Sequence, residues 1–111
     1  METVLRPVNL ADLLEYQKGA VVSREIIRNE KGTITLFAFD KGQGLSEHTA
    51  PFDAFVYILD GTARIIVSGR PFVAKAGEAL ILPAHKPHAL KAVWCFKMLL
   101  VMIRAKAKRK K

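Results

Sequence analysis

Three histidines, His48, His85 and His88, carry most of the side-chain chemistry this chain can do near neutral pH. An imidazole changes charge in that range and binds metal through a neutral ring nitrogen. All three lie in two glycine-bounded segments of regular spacing. The first runs Gly42, five residues, His48-Thr49-Ala50, three residues, Ala54, six residues, Gly61. The second runs Gly77, five residues, Pro83-Ala84-His85, two residues, His88, three residues, Ala92. Glu47 and Asp53 are the carboxylates beside the first segment's histidine. On a regular strand Glu47 points away from the face His48 occupies. Asp53 reaches that face only through a bulge in the Pro51-Phe52-Asp53 turn, which would assemble His48, Asp53 and His88 into a two-His, one-carboxylate set.

The elements that must hold these residues are strands. Asn9 is placed to cap a short helix carrying Leu10, Leu13 and Leu14 on one face, with Gly19 ending it. Beyond it the apolar period becomes that of strands. Val21 to Arg28, Thr33 to Phe39, Leu45 to Ala50, Ala54 to Leu59, Thr62 to Ser68, Pro71 to Ala74, Ala79 to Leu82, His88 to Ala92 and Trp94 to Arg104 form the series. Each is bounded by turn formers, and Asp60-Gly61 and Ser68-Gly69 read as tight hairpin turns. Many short strands at even spacing predict an all-β sandwich or barrel, with a jelly roll as the form that hides its edges.

In the last strand, alternation puts Trp94, Phe96, Met98, Leu100 and Met102 on one face. Cys95, Leu99, Val101 and Ile103 lie on the other, interrupted only by Lys97. A strand apolar on both faces is covered on both. The cover on the outer face is either a second copy, making a homodimer, or the chain's own N-terminal helix or first strand.

Composition bounds the rest. A chain of 111 residues, half of them hydrophobic, has enough apolar surface for one packed core. The net charge of +8 is mostly a tail: RAKAKRKK at the C-terminus holds 6 of the 18 basic residues, leaving 18 − 6 = 12 against 10 acidic, or +2. The division expected is one domain over 1–104 and a disordered basic tail over 105–111, a solvated end rather than a specific nucleic-acid contact. The single cysteine, Cys95, suits a reducing compartment. No stretch reaches the ~20 apolar residues of a membrane span. A cytoplasmic protein without a membrane partner is expected.

The two spaced segments resemble the paired motifs of the cupin superfamily, G-x5-H-x-H-x3,4-E-x6-G and G-x5-P-x-G-x2-H-x3-N, in the short form of small single-domain bacterial cupins. Gly42, His48, Gly61, Gly77, Pro83 and His88 match. The resemblance implies an all-β double-stranded β-helix, the RmlC-like jelly-roll barrel, here with a short N-terminal helix. In cupins with the full motifs three His and one Glu hold a metal ion. The corresponding positions here are His48, Ala50, Ala54 and His88, so two ligands are methyl groups. His85 stands at the motif's second glycine, a turn position that favours positive φ, which His adopts more readily than most residues.

Two readings of His48 and His88 follow. They are neutral, hydrogen-bonded imidazoles with no metal, or they hold a divalent transition metal (Fe, Mn, Ni or Zn) weakly, with a bound molecule completing its shell. The two alanines also empty the barrel mouth, making an apolar cavity of the kind that binds small molecules. Its expected lining is Ala50, Ala54, Val56, Leu90, Trp94, Phe96 and Met98. The leading expectation is a barrel that binds a small organic ligand. The alternative is a metal-dependent enzyme of dioxygenase, isomerase or decarboxylase type, using His48 and His88.

Overall fold

The computed structural model describes residues 6–105; of the basic tail only Ala105 lies within them. Among the described residues, eight strands follow a single 3-10 turn: β1 (Val21–Asn29), β2 (Gly32–Phe39), β3 (Gly44–His48), β4 (Phe52–Val67), β5 (Arg70–Lys75), β6 (Ala79–Leu82), β7 (His88–Lys91) and β8 (Phe96–Arg104). All pairings are antiparallel. The first half of β4 pairs with β6 and β8, and β8 continues through β2 to β1. Its second half pairs with β5 and β7, and β7 continues to β3. One long strand thus joins two sheets, which fold over a shared interior, as the barrel reading expects.

The joint is Asp60-Gly61. This dipeptide does not make a hairpin. The strand runs straight through it from Phe52 to Val67, with a register shift between Ile58 and Asp60 against β8. The extra residue resets the alternation. Ala54, Val56 and Ile58 point inward before the bulge, and Ala63 and Ile65 point inward after it. Unbroken alternation would have turned Thr62 and Arg64 into the core. Gly61 takes φ 76°, and it lies so close to the Cys95 carbonyl oxygen that a Cβ would collide there. Ser68-Gly69, by contrast, is the tight turn expected, with both residues at positive φ.

The N-terminal helix is only the 3-10 turn Leu10–Leu13, capped by the Asn9 side chain, which accepts from the Ala11 N–H at 3.1 Å. Leu14 is already extended, so the element ends well before Gly19. Leu10, Leu13, Leu14 and Tyr16 nevertheless cover part of the outer face, packing near Leu36, Ala38, Leu59 and Leu99. Lys97, the one break in the apolar pattern of β8, fastens this segment by donating to the Ala11 carbonyl at 2.6 Å. The Tyr16 hydroxyl donates to the Asp60 carboxylate at 2.5 Å. Val101 and Ile103 lie beyond this cover. Cross-strand register sets Ile27, Ile34, Val101, Phe55 and Ile81 in one apolar row over five strands, with Ile27, Phe55 and Ile81 exposed. The doubly apolar strand is therefore covered within the chain at one end and open at the other.

Candidate functional site

His48 closes β3 and His88 opens β7, and the two are direct cross-strand partners, so their side chains share a face. A register irregularity between Leu45 and His48 makes this possible. Leu45 packs against the core, and strict alternation from it would turn Glu47 inward and His48 out. The irregularity instead brings His48 to the edge of the interior, where it meets His88 while staying exposed.

The rings meet edge to face, with centroids 4.4 Å apart. The Nδ1 of His48 lies 2.8 Å from the Ser46 carbonyl oxygen, and the Nδ1 of His88 lies 3.2 Å from that of Lys86. A carbonyl can only accept, so each Nδ1 carries the hydrogen and each neutral ring keeps its lone pair on Nε2. The two Nε2 atoms face one another at 3.1 Å. His88 is 8% exposed. Burial, and then the neighbouring His48, hold its imidazole below the usual histidine range, against the Lys86 carbonyl, which favours the charged form. Two lone pairs at this distance repel unless a proton, a donor or a cation lies beside both. The two Nε2 atoms can therefore share a proton, a donor or a cation placed beside both.

The pair borders a cavity of about 50 Å³ between the two sheets. His48, His88 and Leu90 line it from one sheet, and Ala54, Met98 and Met102 from the other, with Ala50 and Phe52 also contributing. Ala50, Ala54, Leu90 and Met98 thus stand where the sequence put them.

Three expected lining residues do not. Val56 and Phe96 are fully buried in the core, Phe96 stacked on Phe39 at 4.5 Å. Trp94 is 63% exposed on the outside, with the Lys41 ammonium 4.3 Å from its ring centroid. The strand begins only at Phe96, so the alternation used to place Trp94 does not extend to it. Asp53 is exposed, and its carboxylate accepts from the Ala84 N–H at 2.9 Å, so no bulge brings it to the histidines. His85 has φ 65° and is exposed, a turn residue.

The sequence reading missed Leu45, Phe52, Leu82, Leu100 and Met102 in the lining. Leu100 and Met102 were within reach, since they share the inward face of β8 with Met98. What the sequence lacks is the register that sets Met102 opposite Ala54.

Residues 35–102, more than half of the chain, match the family model described as Cupin domain. The chain belongs to the cupin family. It is similar to a cupin 2 conserved barrel domain protein from Leptotrichia buccalis, at 43% identity and TM-score 0.85 over 87% of this chain, and it spans about half, 47%, of that protein's length. It is also similar to SPY1581 of Streptococcus pyogenes, a conserved protein of unknown function, at 32% identity and TM-score 0.88 over 96% of this chain and 98% of that one. A cupin superfamily protein from Desulfitobacterium hafniense matches at 32% identity and TM-score 0.85, over 89% of this chain and 91% of the other. No curated protein matches.

The family's metal set does not fit this chain. Ala50 and Ala54 stand at two of its four ligand positions, and among the described residues no group of three His, Cys, Asp or Glu is placed to hold an ion.

Proposed function

We propose that the barrel binds a small organic molecule through a hydroxyl or N–H group that donates to the His48–His88 pair, while its hydrocarbon part fills the apolar cavity. The observation that carries this is the 3.1 Å approach of two Nε2 acceptors beside hydrocarbon and thioether walls. A single donor placed between them satisfies both and removes their repulsion. A carboxylate without a proton would add a third acceptor. Size narrows the class further. The cavity, at about 50 Å³, is well below the ~150 Å³ that admits benzene in an engineered apolar core. The buried part of the guest is a few heavy atoms, as in a short-chain alcohol or amide. The free thiol of Cys95 suits a reducing compartment, and we place the protein in the cytoplasm on that ground.

The test is a titration of the protein, kept metal-free by a chelator, with ethanol, propanol, acetamide and acetate, followed by long-range proton–nitrogen NMR of the imidazoles. The donors should shift both Nε2 resonances, acetate should not, and His88→Phe should abolish the response. Nε2 signals indifferent to every donor would overturn the reading.

The metal-dependent enzyme remains the second reading, because two nitrogens at this separation can both reach one ion. A divalent ion held there would polarise a bound carbonyl. Two neutral nitrogens leave most of its shell unfilled and supply no charge against it, which weighs for the binding role.

A further inference from the structure

The donors that line the cavity are unlike the set the family uses, and they select a different ion. Besides the two imidazoles, whose Nδ1 atoms are taken by the Ser46 and Lys86 carbonyls, the heteroatoms of the lining side chains are the thioether sulfurs of Met98 and Met102. The remaining lining side chains are hydrocarbon. The geometry points to a binding site for a soft monovalent cation, Cu(I), held by His48 and His88 from one sheet and by Met102, with Met98, from the other.

The placement is specific. Met102 is the cross-strand partner of Ala54, the position where full cupin motifs carry their carboxylate. Met98 lies on the same inward face of β8, opposite Ile58. The thioethers therefore come from the sheet that faces the histidines. Methionine has three flexible torsions and a polarisable sulfur, so it can adjust to an ion without backbone movement. An ion about 2.0–2.1 Å from each Nε2, as imidazole ligands stand, would see the 3.1 Å pair at an angle of roughly 100°. Such an ion lies off the line between the nitrogens, with the rest of its shell open to further ligands.

Ligand type and charge then agree. Thioether and imidazole are the donors that suit Cu(I), whereas carboxylate, carbonyl and water suit harder ions. The desolvation cost of an ion in an apolar cavity scales with the square of its charge. A dication therefore meets about four times the penalty of a monocation here. None of the lining residues is acidic to offset it.

The inference uses the same two nitrogens as the guest-binding reading but does not depend on the guest. The experiment is an anaerobic titration of the metal-free full chain with Cu(I) against the chromophoric chelator bicinchoninate, beside Zn(II) and Mn(II) titrations by calorimetry. One Cu(I) per chain should be withheld from the chelator, with X-ray absorption showing a mixed nitrogen and sulfur shell. Met102→Leu should weaken Cu(I) by about tenfold or more, the order seen for loss of a partner at a metal site. The exchange conserves volume, so melting temperature should hold. His88→Phe should abolish binding. A nitrogen-only shell, a Zn(II) affinity equal to that for Cu(I), or unchanged Cu(I) affinity in the Met98→Leu, Met102→Leu double variant would each overturn the assignment. Guest binding is measured with chelator present, so failure here leaves that result standing.

Discussion

Restoring the two missing ligand positions, Ala50→His with Ala54→Glu, should turn the cavity into a divalent-metal site. Both alanines line the space bordered by the Nε2 pair. The substitutions would complete a three-His, one-Glu set and bring in the negative charge the parent lacks. The size of the gain has a floor. Losing a residue that merely orients a ligand costs 10- to 100-fold in metal affinity. Two direct ligands should together contribute at least about 10²- to 10⁴-fold, or roughly 3–6 kcal/mol at 1.4 kcal/mol per decade. The same change has a cost in the empty protein. Ala54 is 6% exposed, so Ala54→Glu would bury a carboxyl without a counter-charge until metal arrives. The metal-free variant should melt below the parent, and zinc should raise its melting temperature far more than the parent's. Calorimetric titration with Zn(II) and Mn(II), with thermal unfolding beside it, reads both effects. Equal affinities in parent and double variant would refute the reasoning, because they would mean that Ala50 and Ala54 do not face the histidine pair.

Stability should fall in acid through His88. Its folded value lies below that of the unfolded chain, about 6.5, so the unfolded state takes up the proton first. This contribution is fully present above about pH 6.5 and is lost as pH drops toward the lowered value; in urea melts His88→Leu should flatten that limb, and an unchanged slope would count against a buried neutral ring. Gly61→Ala should cost at least about 2 kcal/mol, since a Cβ there combines left-handed backbone with a collision against the Cys95 carbonyl, lowering the melting temperature by roughly 8–16 °C. Gly69→Ala, at a positive φ with nothing within 4 Å, should cost clearly less, and equal losses would argue against the close approach. The open apolar row through Val101 should bring two copies together, giving a dimer by light scattering. Val101→Glu at its centre should weaken that dimer by at least about 30-fold, the effect of a 2 kcal/mol hot spot; a parent that stays monomeric at every concentration would show that this face is open to water.

Strand positions were legible in the sequence because turn residues bound them. Asn29 to Gly32, Ser68-Gly69 and Ala76-Gly77 punctuate the chain where the strands end, and observed limits fall within a few residues of those read. The errors share one cause. Asp60-Gly61 can make a tight hairpin or a bulge, and both use a glycine at positive φ. What decides is whether the residues after it return to pair with those before it. Here they pair with β5 and β7 instead. Trp94 falls outside the cavity because the alternation of β8 begins two residues after it. His48, though exposed, borders the cavity only because β3 is irregular between Leu45 and His48. The residue types at the site could be read locally, but the cross-strand partners that give them a role could not.

Met102 and Ala54 show how much follows from one such pairing. Read separately, a methionine on an inward strand face is ordinary core, and an alanine at a ligand position is a loss. Opposed across β4 and β8, they put a soft donor beside the space left by a hard one. The cavity, its lack of negative charge and the choice of ion then share a single origin in the alanine. This ties the two metal experiments together. If Ala54 is what makes the site soft, adding the carboxylate should do more than strengthen zinc. It should also remove the advantage of Cu(I), because the new anion offsets the charge of a dication more than that of a monocation. The order of preference should therefore invert between parent and double variant. A double variant that gains zinc but still prefers Cu(I) to the parent's degree would show that the thioethers, not the missing charge, set the choice.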